Sequence, residues 1–125
     1  MDPNLQFQNI LIRISSDRSL CAVVADFGLA AQIPKNHEDK LPQVGSPYWM
    51  SPECLQGHFY DQTSDIFSFG IILCEMIGRV EADPDFLPRT KNFGVDYLAF
   101  SELVSPDCPL DFLKVSYSCV TVSTY

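Results

Sequence analysis

The side chains in this sequence best suited to chemistry are carboxylates and an amide placed at the ends of apolar runs. Asp26 follows Leu20-Cys21-Ala22-Val23-Val24 and opens the triplet Asp26-Phe27-Gly28. Asn9 stands just before a second apolar run, Ile10-Leu11-Ile12. Glu53 ends Ser51-Pro52-Glu53, and Asp65 opens Asp65-Ile66-Phe67-Ser68-Phe69-Gly70. A carboxylate offers two acceptor oxygens, and an amide offers one neutral carbonyl oxygen. Taken alone, Asp26-Phe27-Gly28 reads as a strand end followed by a glycine turn. The order of all four groups along the chain is what narrows the chemistry.

These groups need elements to hold them. Asn9-Ile10-Leu11-Ile12-Arg13-Ile14 and Leu20-Cys21-Ala22-Val23-Val24 read as two short strands around the turn Ser15-Ser16-Asp17-Arg18, hence a hairpin. Residues 28–45 hold Pro34, Pro42 and a polar run, and read as one long loop, a length that is usually functional. Pro47 and Pro52 bracket an extended, packed turn that leads into a short helical turn. Thr63–Gly78 reads as the main helix, capped by Thr63 or Ser64, with Asp65 in its first turn and Gly78 near its end. Its apolar residues run from Ile66 to Ile77 over nearly the whole circumference, which predicts a buried core helix. Residues 81–93 read as a loop. Residues 96–104 read as a short helix with Leu98 and Leu103 inward. Pro109 suits the first turn of a last helix, with Leu110, Leu113 and Tyr117 at helical spacing. The tail from Val120 to Tyr125 is β-branched and has no helix stop signal.

The composition excludes some partners. The chain has 125 residues, 46 % of them hydrophobic, so a packed domain or part of one is expected. A net charge of −8 argues against non-specific binding to nucleic acid or to an anionic membrane, both of which need surplus Lys and Arg. No apolar run reaches the ~18–20 residues that would span a bilayer, and the first residues do not look like a signal peptide. Five Cys without a C-x-x-C pair suit reduced thiols in an intracellular, cytoplasmic setting, nuclear residence being open as well; most are expected to be buried and structural.

The order Asn9, then Asp26-Phe27-Gly28, then Ser51-Pro52-Glu53, then Asp65-Ile66-Phe67-Ser68-Phe69-Gly70 resembles the protein kinase set: catalytic-loop Asn, D-F-G, A-P-E and the D-x-W-S-F-G helix. Val44-Gly45-Ser46-Pro47-Tyr48-Trp49-Met50 and Gly78-Arg79-Val80-Glu81-Ala82-Asp83-Pro84-Asp85-Phe86-Leu87-Pro88-Arg89-Thr90 are similar to segments of the LIM-kinase and testis-specific-kinase family. Ile33-Pro34 and the short activation loop tilt the likeness to the testis-specific side. The resemblance covers residues 5–119.

It implies a mainly α fold: part of a kinase C-lobe, with a β-hairpin, an activation segment, a buried central helix and short helices, and without the N-lobe. The chain then divides into a catalytic-loop remnant (residues 4–14), the activation segment (26–53), the central helix (63–78) and a substrate-docking region (93–104). It implies ATP and magnesium as cofactors, because phosphoryl transfer needs cations against the phosphate charge. Asp26 and Asn9 would hold magnesium, Gly28 would let the backbone turn so that Asp26 faces the metal, and Phe27 would pack inward. Ser46 resembles an autophosphorylation position, the alternative being a hydroxyl that only caps the turn. Glu53 would pair with an Arg further along the family's domain, and Asp65 would cap the catalytic-loop backbone. The implied activity is Ser/Thr, or dual-specificity, phosphorylation of cofilin-type actin-depolymerising proteins, with control of the actin cytoskeleton.

The sequence departs from the family in three places. The catalytic Asp position of H-R-D-L falls on Asn4, whose amide cannot accept a hydroxyl proton as a carboxylate does. There is no G-x-G-x-x-G, and no Lys precedes Lys35. The Arg that would meet Glu53 is missing, so the region around Glu53 is expected to be loosened. A kinase segment inactive on its own is the expectation. A non-catalytic binding module or decoy, or a non-functional truncated product, are the alternatives.

Overall fold

The computed structural model describes residues 1–2, 5–36, 38–39 and 41–121. Asn4 and residues 122–125, the last part of the β-branched tail, lie outside the described residues.

A 3-10 turn, Phe7–Asn9, leads into β1, Ile10–Ile14, which pairs antiparallel with β2, Leu20–Val24. The register runs from Ile10 opposite Val24 to Ile14 opposite Leu20. The turn closes through Ser15 N–H to the Ser19 carbonyl at 2.9 Å, with Arg18 in the left-handed region at φ 66°. Asp17 Oδ1 accepts from the Ser19 N–H and hydroxyl, and these bonds hold its pKa below the usual carboxylate value. The described part of residues 28–45 contains no helix or strand.

A second 3-10 turn, Pro47–Trp49, precedes α1, Pro52–Leu55. Then come α2, Thr63–Gly78, α3, Tyr97–Ser101, and α4, Leu110–Cys119. The α2 bounds are those expected from sequence, but its cap is not Thr63 or Ser64. Asp61 Oδ1 takes the Thr63 N–H at 2.9 Å and the Thr63 hydroxyl at 2.8 Å, so the capping oxygen sits before the first helical turn. At the other end Arg79, not Gly78, takes the left-handed turn at φ 54°. Gly78 serves close packing instead: a Cβ there would meet Phe100 and Val80 at 3.3 Å.

The core is built on α2. Phe67, Ile71, Ile72, Cys74 and Ile77 pack with Trp49, Leu87, Val95, Phe100 and Val120. Helix α4 lies against α2 at Gly70, where a Cβ would come within 2.6 Å of Val120 and 2.7 Å of Cys119. Only hydrogen fits that approach. Met50, Cys54 and Tyr60 form a smaller cluster.

Four expectations need correction. Helix α2 is not buried all round: Ile66, Phe69 and Met76 are exposed, one stripe that no described element covers. Leu98 points out, 84 % exposed, while Phe100 of the same helix is fully buried; α3 is capped by Asp96, whose Oδ1 takes the Ala99 N–H, and that cap fixes the opposite phase. Leu103 does pack against the core. Leu110 is exposed in the first turn of α4, and Ser116 is buried in its place, while Leu113 and Tyr117 meet the core as expected. Of the five free cysteines only Cys54 and Cys74 are buried; Cys21 sits on the open hairpin, and Cys108 and Cys119 are half-buried.

Candidate active site

The hairpin register brings the two outermost acceptor groups together. Asn9 precedes β1 and Asp26 follows β2, and Ile10 faces Val24. The Asn9 carbonyl accepts the Ala25 N–H at 2.8 Å, extending the ladder by one rung. Asn9 and Asp26 therefore stand at the same open end of the sheet. Asp26 itself carries the left-handed backbone, φ 63°, and its Oδ1 accepts the Gly28 N–H at 3.3 Å. This corrects the role expected for Gly28: the turn is made by Asp26, a residue type that tolerates this region better than most. Gly28 matters through space, since a Cβ there would press to 3.2 Å on Asp26 Oδ1. Phe27 does not pack inward but is 62 % exposed, because the described elements offer no apolar surface over the open end of the hairpin.

Asp65 reaches across from the first turn of α2 to the segment before Asn9. Its two oxygens accept the Asp2 N–H at 3.1 and 2.9 Å. Burial raises its pKa, and the Asp2 bond works against that rise. The carboxylate thus ties the start of α2 to the backbone at Asp2.

Glu53 is half-buried at the end of a hydroxyl chain. Ser51 and Ser64 share a bond of 2.7 Å, and the Ser64 hydroxyl also approaches Glu53 Oε1 at 3.3 Å. The Ser64 hydroxyl ties α1 to α2. Ser46 is half-buried and heads the Pro47–Trp49 turn, and its side chain makes no capping bond there.

Two charged residues that sequence reasoning gave no role organise the platform after Ser46. Glu75 is buried in α2; its Oε2 takes the Trp49 indole N–H at 2.8 Å and its Oε1 the Ala82 N–H at 3.1 Å. Burial pushes the Glu75 pKa up, while the Trp49 bond, the Ala82 bond and Arg89 pull it down. Arg89 donates to the carbonyls of Tyr48 at 2.5 Å, Phe93 at 3.3 Å and Ala82 at 3.4 Å. Burial lowers its pKa to about 10. The signal was present: Glu75 is the one acidic residue in the apolar part of α2, and Arg89 sits in a Pro-rich run flanked by apolar residues. An open cavity of about 920 Å³ lies between this platform and the hairpin side, walled by Phe7, Ser46, Trp49, Glu75, Met76 and Arg79.

The donor set at Asn9 and Asp26 is one amide oxygen and one carboxylate. Among the described residues no cluster of three His, Cys, Asp or Glu forms a metal cage. Hard oxygen ligands in so small a number suit magnesium carried in on phosphates, which keeps most of its coordination for water and phosphate.

A protein kinase domain model matches residues 4–85. The chain is a protein kinase segment. Human dual specificity testis-specific protein kinase 1 is 53 % identical over 120 residues, covering 93 % of this chain and 19 % of that protein. Mouse dual specificity testis-specific protein kinase 2 is 52 % identical over 118 residues, covering 93 % of this chain and 20 % of that protein. LIM domain kinase 1 of Drosophila melanogaster is 54 % identical over 85 residues, covering 68 % of this chain and 7 % of that protein. The segment belongs to the testis-specific-kinase and LIM-kinase branch, with the longer match on the testis-specific side. It spans about a fifth of the length of the testis-specific relatives it matches.

Proposed function

We propose that this segment supplies the metal-holding end and the acceptor platform within the C-lobe of an ATP-dependent protein kinase. Its acceptors would be Ser/Thr residues, or Ser/Thr and Tyr under the dual specificity named for its relatives, on cofilin-type actin-depolymerising proteins in the cytoplasm. The observation that carries this reading is the hairpin register, which sets Asn9 beside Asp26 at one end of a sheet whose next segment leads to the platform.

Magnesium bound there with ATP would neutralise phosphate charge as the phosphoryl group moves. The chain's own residues do the rest. Asp26 and Asn9 offer the oxygens that hold the cation. Asp65 fixes the backbone before Asn9 through Asp2. The Pro47–Trp49 turn, locked by Glu75 and by Ser68, whose hydroxyl donates to the Trp49 carbonyl at 2.8 Å, presents the surface on which an acceptor lies. Ser46, uncapped and at the rim of the cavity, is the proposed modification position of the activation segment. Proton removal from the acceptor calls for a carboxylate at position 4, where this chain has Asn4, so the 125-residue chain is expected to transfer no phosphate unaided.

The test is a completed domain: a related N-terminal part ending in H-R-D replaces residues 1–4, and the family's C-terminal helices follow Cys119. It should phosphorylate a cofilin-type protein. Asp26→Asn should cost more than about 100-fold, or about 2.7 kcal/mol of activation free energy, and retention of Asn4 should silence it as well. A folded, ATP-binding domain that transfers no phosphate contradicts the proposal. It would favour the second reading, a non-catalytic binding module, for which Asn4 is the supporting observation.

A further inference from the structure

The loop between α2 and α3 carries Arg89, which none of the catalytic roles absorbs. The loop returns on itself at an isolated bridge between Arg89 and Val95, with Thr90 N–H on the Gly94 carbonyl at 2.8 Å and Asp96 N–H on the Pro88 carbonyl at 3.0 Å. From that bridge the guanidinium reaches three carbonyls on three stretches: Tyr48 on the platform, Ala82 just after α2, and Phe93 at the head of residues 93–104. Those last residues present Phe93, Tyr97 and Leu98 to solvent. Arg is suited to this because its fork holds five donors in one plane, whereas a Lys ammonium is a single point of contact. Among the described residues its Nε is buried without an acceptor.

We infer that Arg89 is a positioning residue that fixes the Tyr48-Trp49 platform against residues 93–104, so that the surface holding the acceptor residue and an apolar surface gripping the body of the substrate protein act as one rigid unit. The inference rests on the kinase reading for what the two surfaces hold. The tie itself does not depend on that reading. Arg89 acts through Tyr48, Ala82 and Phe93 and touches no reacting atom.

Trp49 is the single tryptophan of the chain, so its emission reports the platform alone. Its indole N–H is bound to Glu75, and the charged groups acting on Glu75 are Arg89, which favours the carboxylate, and Glu81, which opposes it. In the 125-residue chain, Arg89→Met should move the acid midpoint of Trp49 emission to higher pH, because a cation that favours the carboxylate is gone; Arg89→Lys should keep it near wild type. In the completed domain, Arg89→Met should raise KM for a folded acceptor protein about tenfold, several times more than it raises KM for a short acceptor peptide. Arg89→Lys should fall between the two, and it carries the kinetic test if the Met variant does not fold. Equal losses on peptide and protein, or an unchanged KM for the protein, would overturn the coupling. If the wild-type completed domain transfers no phosphate, the kinase reading fails by itself. Hydrogen exchange of the platform amides in the 125-residue chain then decides the tie: faster exchange at Trp49 and Met50 in Arg89→Met supports it, and unchanged exchange in a folded Arg89→Met chain overturns it.

Discussion

The hairpin and the helical half of this segment are both rich in apolar residues, and they end in opposite conditions. Every residue of β2 and four of the five in β1 are exposed, including Leu11, Ile12, Ile14 and Leu20. From Trp49 onward the chain buries Ile71, Leu87, Phe100 and Val120 almost completely. The hairpin is held by its ladder and its Asp17 turn; the helical half is held by burial. The candidate chemistry sits mostly on the first, and the platform that would receive an acceptor sits on the second. A two-stranded hairpin alone is marginal in water, so Asn9 and Asp26 depend on whatever covers the hairpin, whereas the platform is already locked.

The largest effect that would sharpen this contrast is in the core. Phe100→Ala should cost about 3–5 kcal/mol, the usual range for emptying a fully buried aromatic site, read by urea denaturation of the 125-residue chain. Gly70→Ala should cost about 1–3 kcal/mol, because a methyl would be forced against Val120 and Cys119. Ser64→Ala should cost about 1 kcal/mol by breaking the hydroxyl chain from Ser51 to Glu53. On the hairpin, Ile12→Ala should stay within about 0.5 kcal/mol, as exposed substitutions do. A loss at Ile12 as large as that at Phe100 would break the comparison.

A pH effect separates the halves in another way. The folded pKa of Glu75 is raised from 4.5, chiefly by burial. Its contribution to stability is therefore fully present below the unfolded value and is lost as pH rises through the raised folded value. Glu75→Gln removes that titration. Its stability relative to wild type should improve as pH climbs above about 4.5, measured by denaturant midpoints across pH. A relative stability that does not change with pH would contradict the burial of this carboxylate.

Much of this was legible beforehand, where one signal outweighed its rivals. The bounds of α2 follow from a long apolar run between Asp61 and Arg79, and the hairpin from two short apolar runs around Asp17. The failures have local causes. A five-residue helix such as α3 shows too little period to fix its phase, so the sequence pattern puts Leu98 inward where Phe100 belongs. The capping oxygen of α2 lay outside the helix, on Asp61, while nearer hydroxyls competed for the role. Burial of Phe27 and of the Ile66, Phe69 and Met76 stripe was expected from apolarity, but apolarity gives only the preference, and a covering surface must also exist. Within the site, Asn9, Asp26 and Asp65 could be read from order and type. The links made by Glu75 and Arg89 join residues far apart in sequence, and only the fold brings their partners within reach.

Hydrogen exchange on the 125-residue chain and on the completed domain with ATP and magnesium tests the division most directly. The amides of α2 should be strongly protected in both. Those of β1 and β2 should exchange quickly in the 125-residue chain and become protected in the completed domain with ATP and magnesium. Equal, high protection of hairpin and α2 in the 125-residue chain would contradict the account, as would a hairpin that stays unprotected in the nucleotide-loaded domain.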